Sequence, residues 1–228
     1  MKRFYTQAGV VEQDGFAIAL DGRPVKTPAR APLAVASRAL ADAIAAEWSA
    51  QGETIDPRTM KLTGLANAAI DRVAADHAGF TRGIAAYGET DLLCYRAAEP
   101  PDLVARQAEA WDPLLDWARR RYDVAFELVT GIMHRPQPAA TLARLADAVA
   151  ARDGFALTAL STLTTIAGSL VAALAVAEGA IGADEAFAAT HLDELWQAEN
   201  WGEDSLALDA RTAREADFLA AARFLSLL

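Results

Sequence analysis

Apolar and polar positions follow two different rhythms along this chain, and the change falls near residue 60. Before it, "RFYTQAGVVEQDGFAIALDGRPVKTPARAPLAV" holds short runs of β-type residues broken by turn signals. Phe16, Ile18 and Leu20 alternate with small residues, the period-two pattern of a half-buried strand. Gln13-Asp14-Gly15 and Asp21-Gly22 are of hairpin-turn type, and Pro24, Pro28 and Pro32 keep the following strands short or at an edge. The stretch predicts a small antiparallel sheet of roughly three or four strands. Ser37 then caps "SRALADAIAAEWSAQG", where Leu40, Ile44 and Trp48 form one stripe and Gly52 is a natural stop. A small sheet has an apolar face to cover, and this helix is the expected cover.

Beyond "ETIDPRTMKLT" the pattern is helical almost to the end. Leu62, Leu65, Ala69 and Val73 make one stripe, and "HAGFTRGIAAYGETD" reads as a helix weakened by Gly79 and Gly83. In "PDLVARQAEAWDPLLDWARRRYD", Leu103, Gln107, Trp111, Leu114 and Trp117 lie near one side. Pro113 after Asp112 predicts a break there, with Asp112 capping a restarted helix. "DLLCYR" is a short buried run of either type, and "VAFELVTG" alternates like a strand. "QPAATLARLADAVAARDG" reads as a capped and stopped helix, and residues 155–177 as one uncharged helix. A last helix from about Ser205 puts Leu206, Ala210, Ala213, Ala220 and Phe224 on one face. The fold class is thus α+β: a β-rich N-terminal domain over residues 1–60, with a covering helix, and a mainly helical bundle domain over 61–228.

Length and composition narrow the function. The 228 residues are 53% hydrophobic and 23% charged, enough for a substantial core and unlike a disordered chain. A net charge of −10 repels nucleic acid and anionic lipid. One cysteine, Cys94, rules out an internal disulfide framework or a cysteine metal cluster and fits a reducing compartment. The N-terminus has neither an apolar signal core nor an Arg- and Ser-rich import leader, so a cytoplasmic location is expected. Residues 155–177 are long enough to span a bilayer. Their Thr, Ser, Gly and Ala content, and the flanking Asp153 and Glu178, favour instead the central helix of a bundle, with no stable membrane insertion.

The usual catalytic motifs do not occur. There is no phosphate-binding glycine loop and no G-x-S-x-G elbow. His77, His134 and His191 have no second histidine at helical metal-pair spacing, and no metal or cofactor is expected. His191, near Asp193 and Glu194, reads as part of a polar face, and Cys94 as an inert core thiol. Glu194, Glu199, Glu203 and Asp204 form an acidic cluster. It fits helix-end chemistry or partner binding, and an acid–base pair or an oxygen-only metal site is the rival enzymatic reading.

Trp48, Trp111 and Trp117 fall on helical stripes and are expected in the core. Trp196 and Trp201 differ. Five residues apart, they point about 140° from each other on a helix, so one face cannot bury both. Either the chain bends at Trp201-Gly202 or one ring is left for a partner, as an aromatic anchor inside an acidic rim would be.

Four stretches then stand together in order: "AAEWSAQGETIDP", "MKLTGLANAAIDR", "YGETDLLCYRAAEPPDLVARQAEAWDPLLDWA" and "ENWGEDSLALDARTAREADF". The set closely resembles the ATP synthase assembly factor 2 family, chaperones for the α subunit in the catalytic head of the F-type ATP synthase. The resemblance runs over nearly the whole chain and, without an import leader, looks bacterial. It implies a small β-rich part followed by a helical part, and a non-catalytic role; the chain is expected to be a monomer. Such a monomer would shield the subunit interface of free α subunit until the β subunit displaces it. It also implies that Trp48 is a structural anchor and that Glu199, Trp201, Glu203 and Asp204, with Trp196 beside them, are client contacts. "SLALDA" carries fewer charges than the resemblance leads one to expect.

Overall fold

The computed structural model describes residues 1–13 and 15–228. Asp14, the middle residue of the first expected hairpin turn, lies outside the described residues. Two compact units emerge. One comprises residues 1–77, 153–159 and 223–228, and the other residues 78–152 and 160–222.

The first unit is built around a four-stranded antiparallel sheet of β1 (Ala8–Glu12), β2 (Phe16–Leu20), β3 (Arg23–Pro24) and β4 (Ala34–Val35). β2 is central, pairing with the other three strands. Asp21 and Gly22 both have positive φ, the backbone that a tight two-residue hairpin needs, and Leu20 stands opposite Arg23. The Asp21 carboxylate also accepts from the N–H of Gln7 at 2.8 Å, tying the turn to the start of β1. The half-buried alternation expected of β2 is replaced by burial of Ala17, Ile18, Ala19 and Leu20 alike. Ile18 and Leu20 share one face of the strand and the small Ala17 and Ala19 the other, and both sets are buried. Helix α1 (Arg38–Ser49) packs on β1 and β2, and Ser37 accepts from the N–H of Leu40 at its start.

Glu47 leaves α1 to cap the next helix, α2 (Lys61–Ala68), accepting from the N–H groups of Leu62 (2.7 Å) and Thr63 (2.8 Å) and from the Thr63 hydroxyl (2.7 Å). These donors would otherwise be unpaired, and a carboxylate suits the positive end of the helix dipole. α2 runs on into a π-turn over Ala69–Val73. Trp48 is half-buried against a cluster of Tyr5, Leu20, Ile55 and Met60, with its ring 5.8 Å from that of Tyr5.

The second unit opens with α3 (His77–Ala85), whose first residue belongs to the first unit, and passes through two short 3₁₀ turns. Within "DLLCYR", Leu92–Cys94 is a 3₁₀ turn and only Tyr95–Arg96 is a strand, β5, paired in parallel with β6 (Val129–Thr130). The expected longer strand in "VAFELVTG" is reduced to those two residues of β6. Side chains supply what a neighbouring strand would have given. Gln137 both accepts from the Glu127 N–H and donates to its carbonyl, and the Thr141 hydroxyl does the same for Ala125.

α4 (Pro101–Tyr122) is continuous through Pro113, against the predicted break. Trp111, Leu114, Leu115 and Ala118 are all buried around the proline, so packing holds both halves on one axis. That burial offsets the cost of about 3 kcal/mol for an interior helical proline. The Trp111 indole donates to the Ala189 carbonyl at 2.7 Å. α5 (Ala139–Ala150) starts after Pro138 without a side-chain cap.

The single helix expected over 155–177 is two: α6 (Gly154–Ala167) and α7 (Leu170–Ala177). Gly168 has φ +63°, and Ser169 starts a new helix by accepting from the N–H of Ala172. Buried Asp91 holds the break, accepting from the N–H groups of Val171 (2.9 Å) and Leu93 (3.1 Å). Among the described residues, no helix is long and apolar enough to cross a membrane. α8 (Ala183–Thr190), α9 (Leu192–Trp201) and α10 (Ser205–Ser226) complete the chain, α10 ending in the first unit.

Candidate partner-binding site

Each of the two explanations offered for the tryptophan pair holds. Trp196 is buried, and its indole N–H donates to Asp102 in the first turn of α4 at 2.9 Å. That hydrogen bond holds the Asp102 carboxyl below the usual carboxylate range. Trp201 ends α9 with 73% of its surface exposed, its ring meeting Trp196 edge to face at 5.4 Å between centroids. The next residue, Gly202, turns the chain at φ +90°, where a side chain would be strained. Trp196 is thus an internal support on which Trp201 stands.

The carboxylates that follow have separate jobs. Glu199 pairs with Arg106 of α4 at 2.6 Å. Asp204 caps α10, accepting from the N–H of Leu206 at 3.0 Å. Glu203 pairs with Arg211, which also reaches Glu194, while Glu194 binds Arg214 at 2.6 Å. Arg211 is largely covered, so this network fastens the start of α10 to α9. Glu199, Trp201, Glu203 and Asp204 are all exposed and lie within six residues of chain; Trp196 lies beneath them. Among the described residues, no three His, Cys, Asp or Glu side chains come together as metal ligands do.

Two expectations change here. The predicted apolar face of α10 starts too early: Leu206, Ala210 and Ala213 are exposed, and the buried positions are Phe218, Ala221 and Phe224. Leu206 (75% exposed) and Leu208 (39%) instead extend the surface begun by Trp201. Their signal was present in the sequence as leucines spaced two apart, which one helix stripe cannot share. His191, expected on a polar face, is buried and stacked on Phe187 at 3.8 Å, and burial lowers its pKa. Cys94 is buried, with burial and then Asp91 pushing its thiol up to about 12. Trp111 is in the core, and Trp117 is half-buried.

Beside Trp196 lies a groove of about 460 Å³ between α4, α8 and α9. Leu114, Trp117, Leu192 and Trp196 line it, and Glu109, Glu185 and the Arg106–Glu199 pair stand on its rim.

The profile of the ATP12 chaperone protein family matches residues 2–119. The chain belongs to the ATP12 chaperone family. Its fold is that of solved members. Atp12 from Paracoccus denitrificans is 43% identical, with a TM-score of 0.94 over 99% of this chain and 97% of the other. An aspartate-to-lysine mutant of that protein gives the same values. A candidate chaperone from Agrobacterium tumefaciens is 45% identical, with a TM-score of 0.95 over 99% of this chain and 85% of its own. The tryptophan pair and its acids lie beyond the ATP12 profile match but within the reach of these structural matches.

Proposed function

We propose that this chain is a non-catalytic, cytoplasmic, monomeric chaperone of ATP synthase assembly. It binds the free α subunit of the F-type enzyme, shields the apolar subunit interface from aggregation, and yields it to the β subunit. Membership of the ATP12 chaperone family supports the class of activity. The observation that carries the site is Trp201: a large ring held out in solvent by a buried twin, with exposed leucines following and carboxylates on either side.

An exposed aromatic on a fixed support has little conformational freedom left to lose on binding, which is what an interface anchor requires. Glu199 and Glu203 have their arginines already, so they orient a partner and deter wrong ones more than they add affinity. Trp201, Glu199 and Glu203 are the contacts in this reading. Asp204 contributes chiefly by fixing the start of α10, and Trp196 by supporting Trp201. A holder that releases without ATP needs moderate affinity, with a Kd of about 1 μM, roughly −8 kcal/mol. Release then follows from competition by a β subunit that covers the same surface more extensively.

The test is light scattering from isolated α subunit with and without the chain, followed by addition of β subunit. The expected result is suppressed aggregation and loss of the chaperone from the complex once β is present. Aggregation at the same rate in both samples would sink the proposal.

A further inference from the structure

The groove between α4, α8 and α9 has no use in the fold that surrounds it, and its chemistry is specific. The floor is apolar, and one end is formed by Trp196, the same indole that supports Trp201. Groove and exposed ring are therefore one continuous surface. The rim is acidic: Arg106 is taken up by Glu199, whereas Glu109 and Glu185 are exposed and, among the described residues, form no ion pair. An apolar floor and two exposed carboxylates suit an occupant with an apolar body and a cationic end.

We propose that this groove takes an amphipathic segment of the client α subunit. The segment's apolar side chains would seat on Leu114, Trp117 and Leu192, and a lysine or arginine would lie between Glu109 and Glu185. Trp201 would cover the same segment from the side. The proposal rests on the chaperone reading above and adds where the client enters and what chemistry is recognised. A segment is favoured over a small molecule because exposed Trp201, whose ring meets the Trp196 at the groove's end, and Leu206 beyond it offer further apolar surface outside the groove.

The experiment measures binding of isolated α subunit to the full chain and to two variants, by titration calorimetry at low and high salt. Ala188 is exposed and lines the groove, so Ala188→Arg fills it with a cation without disturbing the core. The expected result is a loss of affinity of about tenfold or more, with an unchanged melting temperature. The double variant Glu109→Lys with Glu185→Lys should lose about tenfold at low salt and much less at high salt. Reversal of the remote acids Glu53 and Asp147, with the same change in net charge, should leave affinity close to that of the parent. If the parent binds α subunit and both groove variants bind equally well, the groove assignment is overturned and the chaperone reading stands. If the parent does not bind α subunit, both are overturned. If sedimentation shows a parent dimer that Ala188→Arg dissolves, the occupant is a second copy and the client assignment is wrong.

Discussion

Two apolar-bearing stretches of the second unit meet opposite fates. Residues 170–175, "LVAALA", are without exposure throughout, while residues 201–210, "WGEDSLALDA", are exposed throughout. Hydrophobic content alone does not separate them, since Trp201, Leu206 and Leu208 bring as much apolar surface as several alanines. What differs is how their polar groups are satisfied. The start of α7 is held by Asp91, a residue distant in sequence that accepts from the backbone of Val171 and Leu93. The start of α10 is held by carboxylates in or beside the stretch itself, Asp204 as the cap and Glu203 on Arg211. The first arrangement demands burial. The second needs no cover, and so leaves rings and leucines available to something else.

The largest effect is expected where the buried stretch receives a charge. Ala172→Asp places a carboxylate at a position with no exposure and should cost roughly 3–5 kcal/mol. A circular dichroism melt with an unchanged midpoint would remove α7 from the core.

Next comes the staple. Asp91→Ala leaves the N–H groups of Val171 and Leu93 unpaired in the interior and should cost about 2–4 kcal/mol in urea unfolding. The same residue sets a pH dependence. Burial, outweighing its hydrogen bonds, raises the Asp91 pKa to about 6 from an ordinary 3.8. A raised carboxylate is a charge that the fold disfavours, so the folded state binds the proton first. The parent should therefore gain stability relative to Asp91→Asn as pH falls from about 6 towards about 4, and lose that gain as pH rises. Comparison with the variant removes the opposite trend of Glu178. Burial raises the Glu178 carboxyl, but hydrogen bonds from Arg121 and Tyr122 prevail and hold it low. A stability difference flat across this range would contradict the assignment.

Smaller effects belong to the exposed stretch. Asp204→Ala removes a cap and should cost about 1 kcal/mol, read in the same unfolding experiment. Trp201→Ala should change stability by only about 0.5 kcal/mol, while weakening capture of α subunit in a pull-down by far more than that figure implies. Full capture by Trp201→Ala would separate the ring from the client surface.

The fold class was legible because period two gives way to period 3.6 once β4 ends at Val35, and the hairpin at Asp21-Gly22 and the cap at Ser37 carry local chemistry that acts wherever it occurs. The outward Trp201 was half legible: helix geometry requires that the chain bend at Trp201-Gly202 or that one ring of the pair lie outside, but not which ring. The break at Gly168 was hidden because Asp91, which stabilises it, is far away in the chain. Pro113 misled because its local cost is real, whereas the compensation comes from Trp111, Leu114 and Leu115 packing on other helices. His191 misled in the same way, since acidic neighbours in sequence say nothing about the Phe187 ring stacked against it.

The burial of Cys94 has a practical side. A thiol held up to about 12 and shut away from solvent stays protonated at neutral pH, and the reactive species in alkylation is the thiolate. Towards a maleimide, the folded chain behaves as though it had no cysteine. A single Leu206→Cys or Leu208→Cys substitution would give the only thiol that reacts. A fluorophore or a crosslinker can then be set beside Trp201 with no background labelling to subtract.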